Sequence, residues 1–117
     1  MDNKNDRSNF EQIKEIDLRS NSNDAFFLIH GYTGSPMDFN GLGKNLHKKP
    51  NANVKSILLK GHGTQVEDLK NLNLKDFIDQ AEDELKNELK KGRKIIIGGY
   101  SFGAQLALYL ASKYPIQ

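Results

Sequence analysis

The chain has 117 residues, with 17 Lys and Arg against 15 Asp and Glu for a formal net charge of +2, and it contains no cysteine. That length suits one small domain. The missing cysteines exclude a disulfide framework, a thiolate metal site and a cysteine nucleophile, and a near-neutral charge with no basic run longer than pairs such as Lys48-Lys49 and Lys90-Lys91 gives no nucleic-acid footprint.

Residues 1–24 are polar and rich in Asn, Asp and Ser, with Phe10, Ile13, Ile16 and Leu18 standing out. The alternation Glu15-Ile16-Asp17-Leu18 admits a short edge strand, and Ser20–Asp24 has turn composition. From residue 25 to 117 the pattern alternates strand and helix. Ala25–Ile29 is a continuous apolar run ended by His30-Gly31, as expected for a strand buried on both faces. Ser35-Pro36-Met37-Asp38 is a helix start, with Ser at the N-cap and Pro at the first helical position. Phe39, Leu42 and Leu46 then share one face, and Pro50 forbids continuation.

Val54–Leu59 reads as the second strand, ended by Lys60-Gly61-His62-Gly63. Asn73 caps a helix that runs through Lys91 to Gly92. Its apolar positions Leu74, Phe77, Ile78, Ala81, Leu85 and Leu89 keep the 3.6 period, with the charges on the other face. Lys94–Ile97 is the third strand and leads into Gly98-Gly99-Tyr100-Ser101. Phe102 to Tyr114 is a helix apolar nearly all round, expected to be buried and stopped by Pro115. Alternating strands and helices of these lengths predict an α/β fold, a mostly parallel sheet with crossover helices. No apolar stretch approaches the roughly 20 residues of a bilayer span. The opening MDNKNDRSNFEQ has no signal-peptide core, so the expected location is cytoplasmic.

In such a sheet, ligands bind beyond the carboxyl ends of the strands. All three strands end there in glycine-bearing turns with polar or reactive groups. The turn Gly99-Tyr100-Ser101-Phe102-Gly103 matches G-x-S-x-G and lies between a strand and a helix, as a nucleophile elbow must. The sharp turn leaves no room for bulk two residues either side of the serine, hence Gly99 and Gly103. It lifts Ser101 Oγ above the sheet and aims the Phe102 N–H at a developing oxyanion. A second donor is needed from a neighbouring loop, and in His30-Gly31-Tyr32 the Tyr32 N–H is the candidate. The plainer alternative is a glycine-rich turn whose serine only caps the helix. His30 and His62 are expected in structural roles at strand ends, and His47 on a solvated surface.

These residues resemble the α/β-hydrolase fold, within it the carboxylesterase and monoacylglycerol-lipase branch. The resemblance rests on FFLIHGYTGSPMDF, LLKGHGT with the helix around LKDFIDQAEDEL, and IIIGGYSFGAQLALYLASKYP, over about residues 26–115. It implies a three-layer α/β/α architecture and hydrolysis of a small-molecule ester, an acyl ester or monoacylglycerol-like compound, through an acyl-enzyme without cofactor or metal. Ser101 would be the nucleophile, the N–H groups of Tyr32 and Phe102 the oxyanion hole, and His30 with Gly31 support for the oxyanion loop. Gly61-His62-Gly63 would be a loop at the rim of the site.

The triad order of this fold is Ser, then Asp or Glu, then His. The sixteen residues after Ser101 contain no Asp, Glu or His. The expectation is therefore the N-terminal half of a truncated α/β-hydrolase domain, inactive alone, whose strand at 94–97 is an open apolar edge through which it self-associates. Two alternatives remain at this stage. One is a non-catalytic remnant that binds a partner through that edge. The other is a peptidase, thioesterase or acyltransferase on the same scaffold.

Overall fold

A computed structural model describes residues 13–48 and 51–116; Phe10 and Pro50, singled out above, lie outside the described residues. Four strands form one mixed sheet: β1 (Ile16–Leu18), β2 (Asp24–Ile29), β3 (Asn53–Ile57) and β4 (Lys94–Gly99). Their order across the sheet is β1-β3-β2-β4. β2 is central and parallel to both neighbours, while β1 runs antiparallel on the outer side of β3. Three longer helices accompany the sheet: α1 (Asn40–Lys48), α2 (Leu74–Lys90) and α3 (Phe102–Lys113). Short 3₁₀ turns at Pro36–Phe39 and Val66–Leu69 precede α1 and α2.

Side-chain alternation along β2 divides the core in two. Ala25, Phe27 and Ile29 join Ile57, Ile95 and the inner faces of α2 and α3, namely Phe77, Ala81, Leu85, Leu106 and Leu110. Leu28 points the other way and packs with Ile16, Val54 and Phe39, with Leu46 of α1 against them. Helices therefore cover both faces, giving the three-layer α/β/α arrangement.

The helix starts are local chemistry. Ser35 Oγ accepts from the Met37 N–H at 3.2 Å. At α2 the Asn73 side chain accepts from Asp76 N–H, and the Asp76 carboxylate accepts from Asn73 N–H, a reciprocal capping box. Gly92, at φ +75, ends that helix in the left-handed region. Asn53, buried in β3, accepts from Ser20 N–H at 2.9 Å and donates to the carbonyls of Ser22 and Asp24 at 2.8 and 3.0 Å. One side chain thus fastens the Ser20–Asp24 turn to the sheet.

Several expectations need correction. β3 stops at Ile57 rather than Leu59. The Leu59 N–H is taken by His30 Nε2 at 3.1 Å, and Gln80 of α2 accepts from Lys60 N–H and donates to the Leu58 carbonyl. Side chains replace the ladder there. Leu42 and Leu74 are exposed; Leu74 is the first residue of α2, where the helix face has not yet reached its cover. Gly43 takes the central place on α1, facing Val54 and Ile16. α3 is buried on one side only: Leu108 is 73% exposed and Tyr109 is exposed beside it. The expected open edge needs no correction: β4 is an edge strand among the described residues, and Ile96 on its uncovered face is exposed.

The charges of α2 do not all face water. Glu88 is 3% exposed and pairs with Arg93 Nη1 at 2.6 Å and Lys91 Nζ at 2.9 Å. The turn after α2 folds its own cations back over this carboxylate. Removing one partner leaves a buried charge poorly compensated, whereas replacing both by apolar groups does not. Arg93→Met is therefore expected to lower unfolding free energy by about 2–3 kcal/mol, less than for a fully severed pair because Lys91 remains. Glu88→Leu combined with Arg93→Met should recover most of that loss in urea titrations. A double variant less stable than Arg93→Met would contradict this account.

Candidate active site

Strand register decides where the reactive turns meet. Ile29 pairs with Ile57 on one side and with Gly99 on the other, so β2, β3 and β4 end level. The turns at His30, Gly61 and Tyr100 leave the sheet together at its carboxyl edge.

The β4–α3 turn has the strain expected of a nucleophile elbow. Ser101 sits at φ 56, ψ −116, in the left-handed half of backbone space that a non-glycine residue rarely occupies. Such a residue costs about 1–3 kcal/mol and persists only when its surroundings hold it. Here they hold it by close approach of backbone to backbone. A Cβ on Gly103 would overlap the carbonyls of Ile29 and His30, and one on Gly99 would lie 2.6 Å from Ala104 N. Tyr100 N–H donates to Ile29 O at 3.1 Å and Gly103 N–H to Tyr100 O at 2.9 Å, closing the turn on both sides. Ser101 is exposed and makes no side-chain capping bond. A serine present only as a cap would make one. Phe102 is the first residue of α3, and its N–H has no hydrogen-bond acceptor among the described residues.

The β2 turn lies against this elbow. A Cβ on Gly31 would stand 3.3 Å from Tyr100 O and 3.5 Å from Ser101 Cβ, so only glycine lets the two turns come this close without displacement. Gly34 N–H donates to Gly31 O at 3.0 Å, making Gly31–Gly34 a β-turn. Within it Thr33 alone has positive φ, 64°, which is the type II pattern. The N–H of the second residue takes no part in closing such a turn. Tyr32 N–H accordingly has no acceptor among the described residues.

His30 is fully buried. Its Nδ1 lies 2.8 Å from Gly31 O, so that nitrogen carries the proton, and Nε2 accepts from Leu59 N–H. Both ring nitrogens are occupied, and the imidazole latches the Gly31 turn to the end of β3. Burial pushes its pKa down; the Gly31 carbonyl raises it by less, and smaller effects come from His62, which lowers it, and Asp38, which raises it. Ser101 Oγ makes no hydrogen bond to either histidine. His47, expected on a solvated surface, is half-buried and donates from Nδ1 to Ala52 O at 3.0 Å.

A cluster of rings beneath the two turns is legible only in the structure. His62, expected in a structural role at a strand end, is 5% exposed and bonds the loop backbone at Lys60 O. Its ring centroid lies 4.8 Å from His30, 5.5 Å from Tyr32 and 5.7 Å from Phe77. Phe77, expected only as helix core, also meets Phe102 edge-on at 5.7 Å, and Tyr32 meets Phe102 at 5.9 Å. The signal available in the sequence was the pair of glycines flanking His62, which sit at φ +72 and +76.

Comparison with known proteins bears on this arrangement. No protein-family profile matches the sequence. Over 88 residues, 75% of this chain, it is 33% identical to a thermostable monoacylglycerol lipase of Bacillus sp. (strain H-257), covering 35% of that protein. A structure of the metagenome-derived lipolytic enzymes LipS and LipT superposes with a TM-score of 0.80 at 20% identity, over 88% of this chain and 41% of that one. MenH from S. aureus gives a TM-score of 0.65 at 23% identity, over 88% and 38%. At these identities the two solved structures speak for the fold. The chain spans about a third of the length of its curated relative.

The His30 latch carries a pH dependence. Because the folded pKa lies below the ordinary 6.5, the latch contributes its full stability above pH 6.5, and loses it as pH falls from there through the lowered folded value. The gap in urea midpoint between wild type and His30→Asn is expected to narrow from pH 7.5 to pH 5.5. A gap that stays constant or widens would show that the imidazole is not held neutral.

Proposed function

The chain belongs to the α/β-hydrolase family, and from that premise we propose that it is part of a serine hydrolase acting on carboxylic esters, with Ser101 as nucleophile. The observation that carries the proposal is the strained Ser101 backbone, held between Gly99 and Gly103, with the side chain exposed at the carboxyl edge of the sheet.

In this reading Ser101 Oγ attacks the ester carbonyl. The negative charge that develops on the carbonyl oxygen is met by two N–H groups, those of Tyr32 and Phe102, which have no other acceptor among the described residues. The α3 N-terminus adds its positive dipole end. The alcohol leaves, an acyl-enzyme remains, and water releases the acid. His30 holds the Gly31 turn in place and takes no proton, since both its nitrogens are occupied.

The base and acid of the triad are assigned to sequence C-terminal to the aligned segment, in the family order Ser, Asp or Glu, His. The 117 residues alone are then inactive. The lipolytic relatives favour an acyl ester or monoacylglycerol-like substrate. The open edge of β4 and the exposed Leu108 are where the isolated chain would associate with itself or with a complementary part of such a domain.

A fluorophosphonate that reacts with activated serines tests the proposal. Labelling should be strong when this segment sits in a complete hydrolase domain. It should fall to background in Ser101→Ala, with kcat down by about 10⁴-fold or more. The 117-residue chain should label only weakly. Undiminished labelling of Ser101→Ala would place the nucleophile elsewhere.

A further inference from the structure

The Gly31–Gly34 turn carries a residue poorly suited to it. The third position of a type II turn requires positive φ and favours Gly or Asn; here it is Thr33, β-branched, at φ 64. A β-branched residue in that region is a genuine outlier, and it persists only where surrounding contacts over-determine the backbone. Two sets of contacts do so. On one side, His30 ties the start of the turn to β3 through Gly31 O and Leu59 N–H. On the other, the Tyr32 ring, though 50% exposed, stands edge-on to three rings: His62 at 82°, Phe77 at 86° and Phe102 at 80°.

His62 is the member of this cluster whose placement costs most locally. The two residues beside it both adopt positive φ, and neither tolerates a side chain. A Cβ on Gly61 would lie 2.6 Å from Leu72 Cδ1 and 2.9 Å from Asp68 O, and one on Gly63 would lie 2.8 Å from Ile13 Cγ2. His62 Nδ1 donates to Lys60 O at 3.0 Å, which fixes the ring plane. Its Nε2 is buried with no hydrogen-bond partner among the described residues, an arrangement a plain core side chain would avoid. The backbone is bent twice to bring one imidazole against Tyr32, with the His30 ring tilted beside it at a centroid distance of 4.8 Å.

We infer that His62 is a positioning residue of the oxyanion loop: its ring, through the Tyr32 ring, holds the strained Tyr32–Thr33 turn so that the Tyr32 N–H stays on the Ser101 side. The inference rests on the reading of Tyr32 N–H as an oxyanion donor. His62 itself touches no substrate and transfers no proton. Its contribution falls on transition-state stabilisation, where the oxyanion forms, and not on substrate binding.

The test uses the complete hydrolase that carries this segment, with an aryl ester as substrate. His62→Leu keeps the volume but removes the ring, and is expected to lower kcat about tenfold while KM stays within about twofold. His62→Phe, which still offers a ring edge to Tyr32, should keep at least half of the wild-type kcat. Thr33→Gly relaxes the turn, so it should restore most of the kcat lost in His62→Leu when the two are combined. That rescue is a readout which simple core filling would not give, since Thr33 lies outside the core. An unchanged kcat in His62→Leu, or a loss that Thr33→Gly does not relieve, would overturn the inference. Circular dichroism melting of each variant separates loss of fold from loss of positioning, and His62→Phe keeps the comparison usable if His62→Leu is unfolded. Activity surviving in Ser101→Ala would instead defeat the hydrolase reading itself, whatever His62 does.

Discussion

The site depends on one close approach, that of Gly103 at the start of α3 to the carbonyls of Ile29 and His30 at the end of β2. No side chain stands between them. The contact fixes how near α3 lies to the central strand, and with Gly99 equally tight against Gly103 it leaves Ser101 only a left-handed backbone. The exposed position of the serine follows. So does the free N–H of Phe102, because a helix that begins within this turn has no preceding carbonyl for its first donor.

Around that contact, the fold supplies its support through the ends of strands. The level register of β2, β3 and β4 brings three glycine-bearing turns to one edge. His30 then joins two of them by occupying both of its nitrogens, and in doing so ends the β3 ladder early. The ring cluster of His62, Tyr32, Phe77 and Phe102 fills the space beneath. α2 contributes Phe77 to this cluster and Gln80 to the loose backbone after β3, so its capped start at Asn73 sets part of the site.

Much of this was legible in the sequence because it is carried by local chemistry. Apolar runs flanked by glycine placed the strands, Asn73 and Gly92 bounded α2, and the spacing of Gly99, Ser101 and Gly103 located the elbow. What escaped depends on residues distant in sequence or on partners that composition does not reveal. Glu88 looked solvated because its cations come from the following turn. Leu108 and Tyr109 looked buried because apolarity says nothing about which face of α3 finds cover. Thr33 gave no sign of positive φ, since the residue type argues against it, and His62 was legible as a structural histidine at a strand end while its ring partners Tyr32 and Phe77 were not.

The central claim is that the fold presents Ser101 beneath two free backbone donors. A crystal structure of the phosphonylated protein, with this segment in a complete hydrolase domain, tests it most directly. The account predicts a phosphorus–oxygen bond to Ser101 Oγ, with the phosphonyl oxygen about 2.7–3.1 Å from the nitrogens of both Tyr32 and Phe102. An adduct on another residue, or a phosphonyl oxygen bound by other donors or turned to solvent, would contradict it.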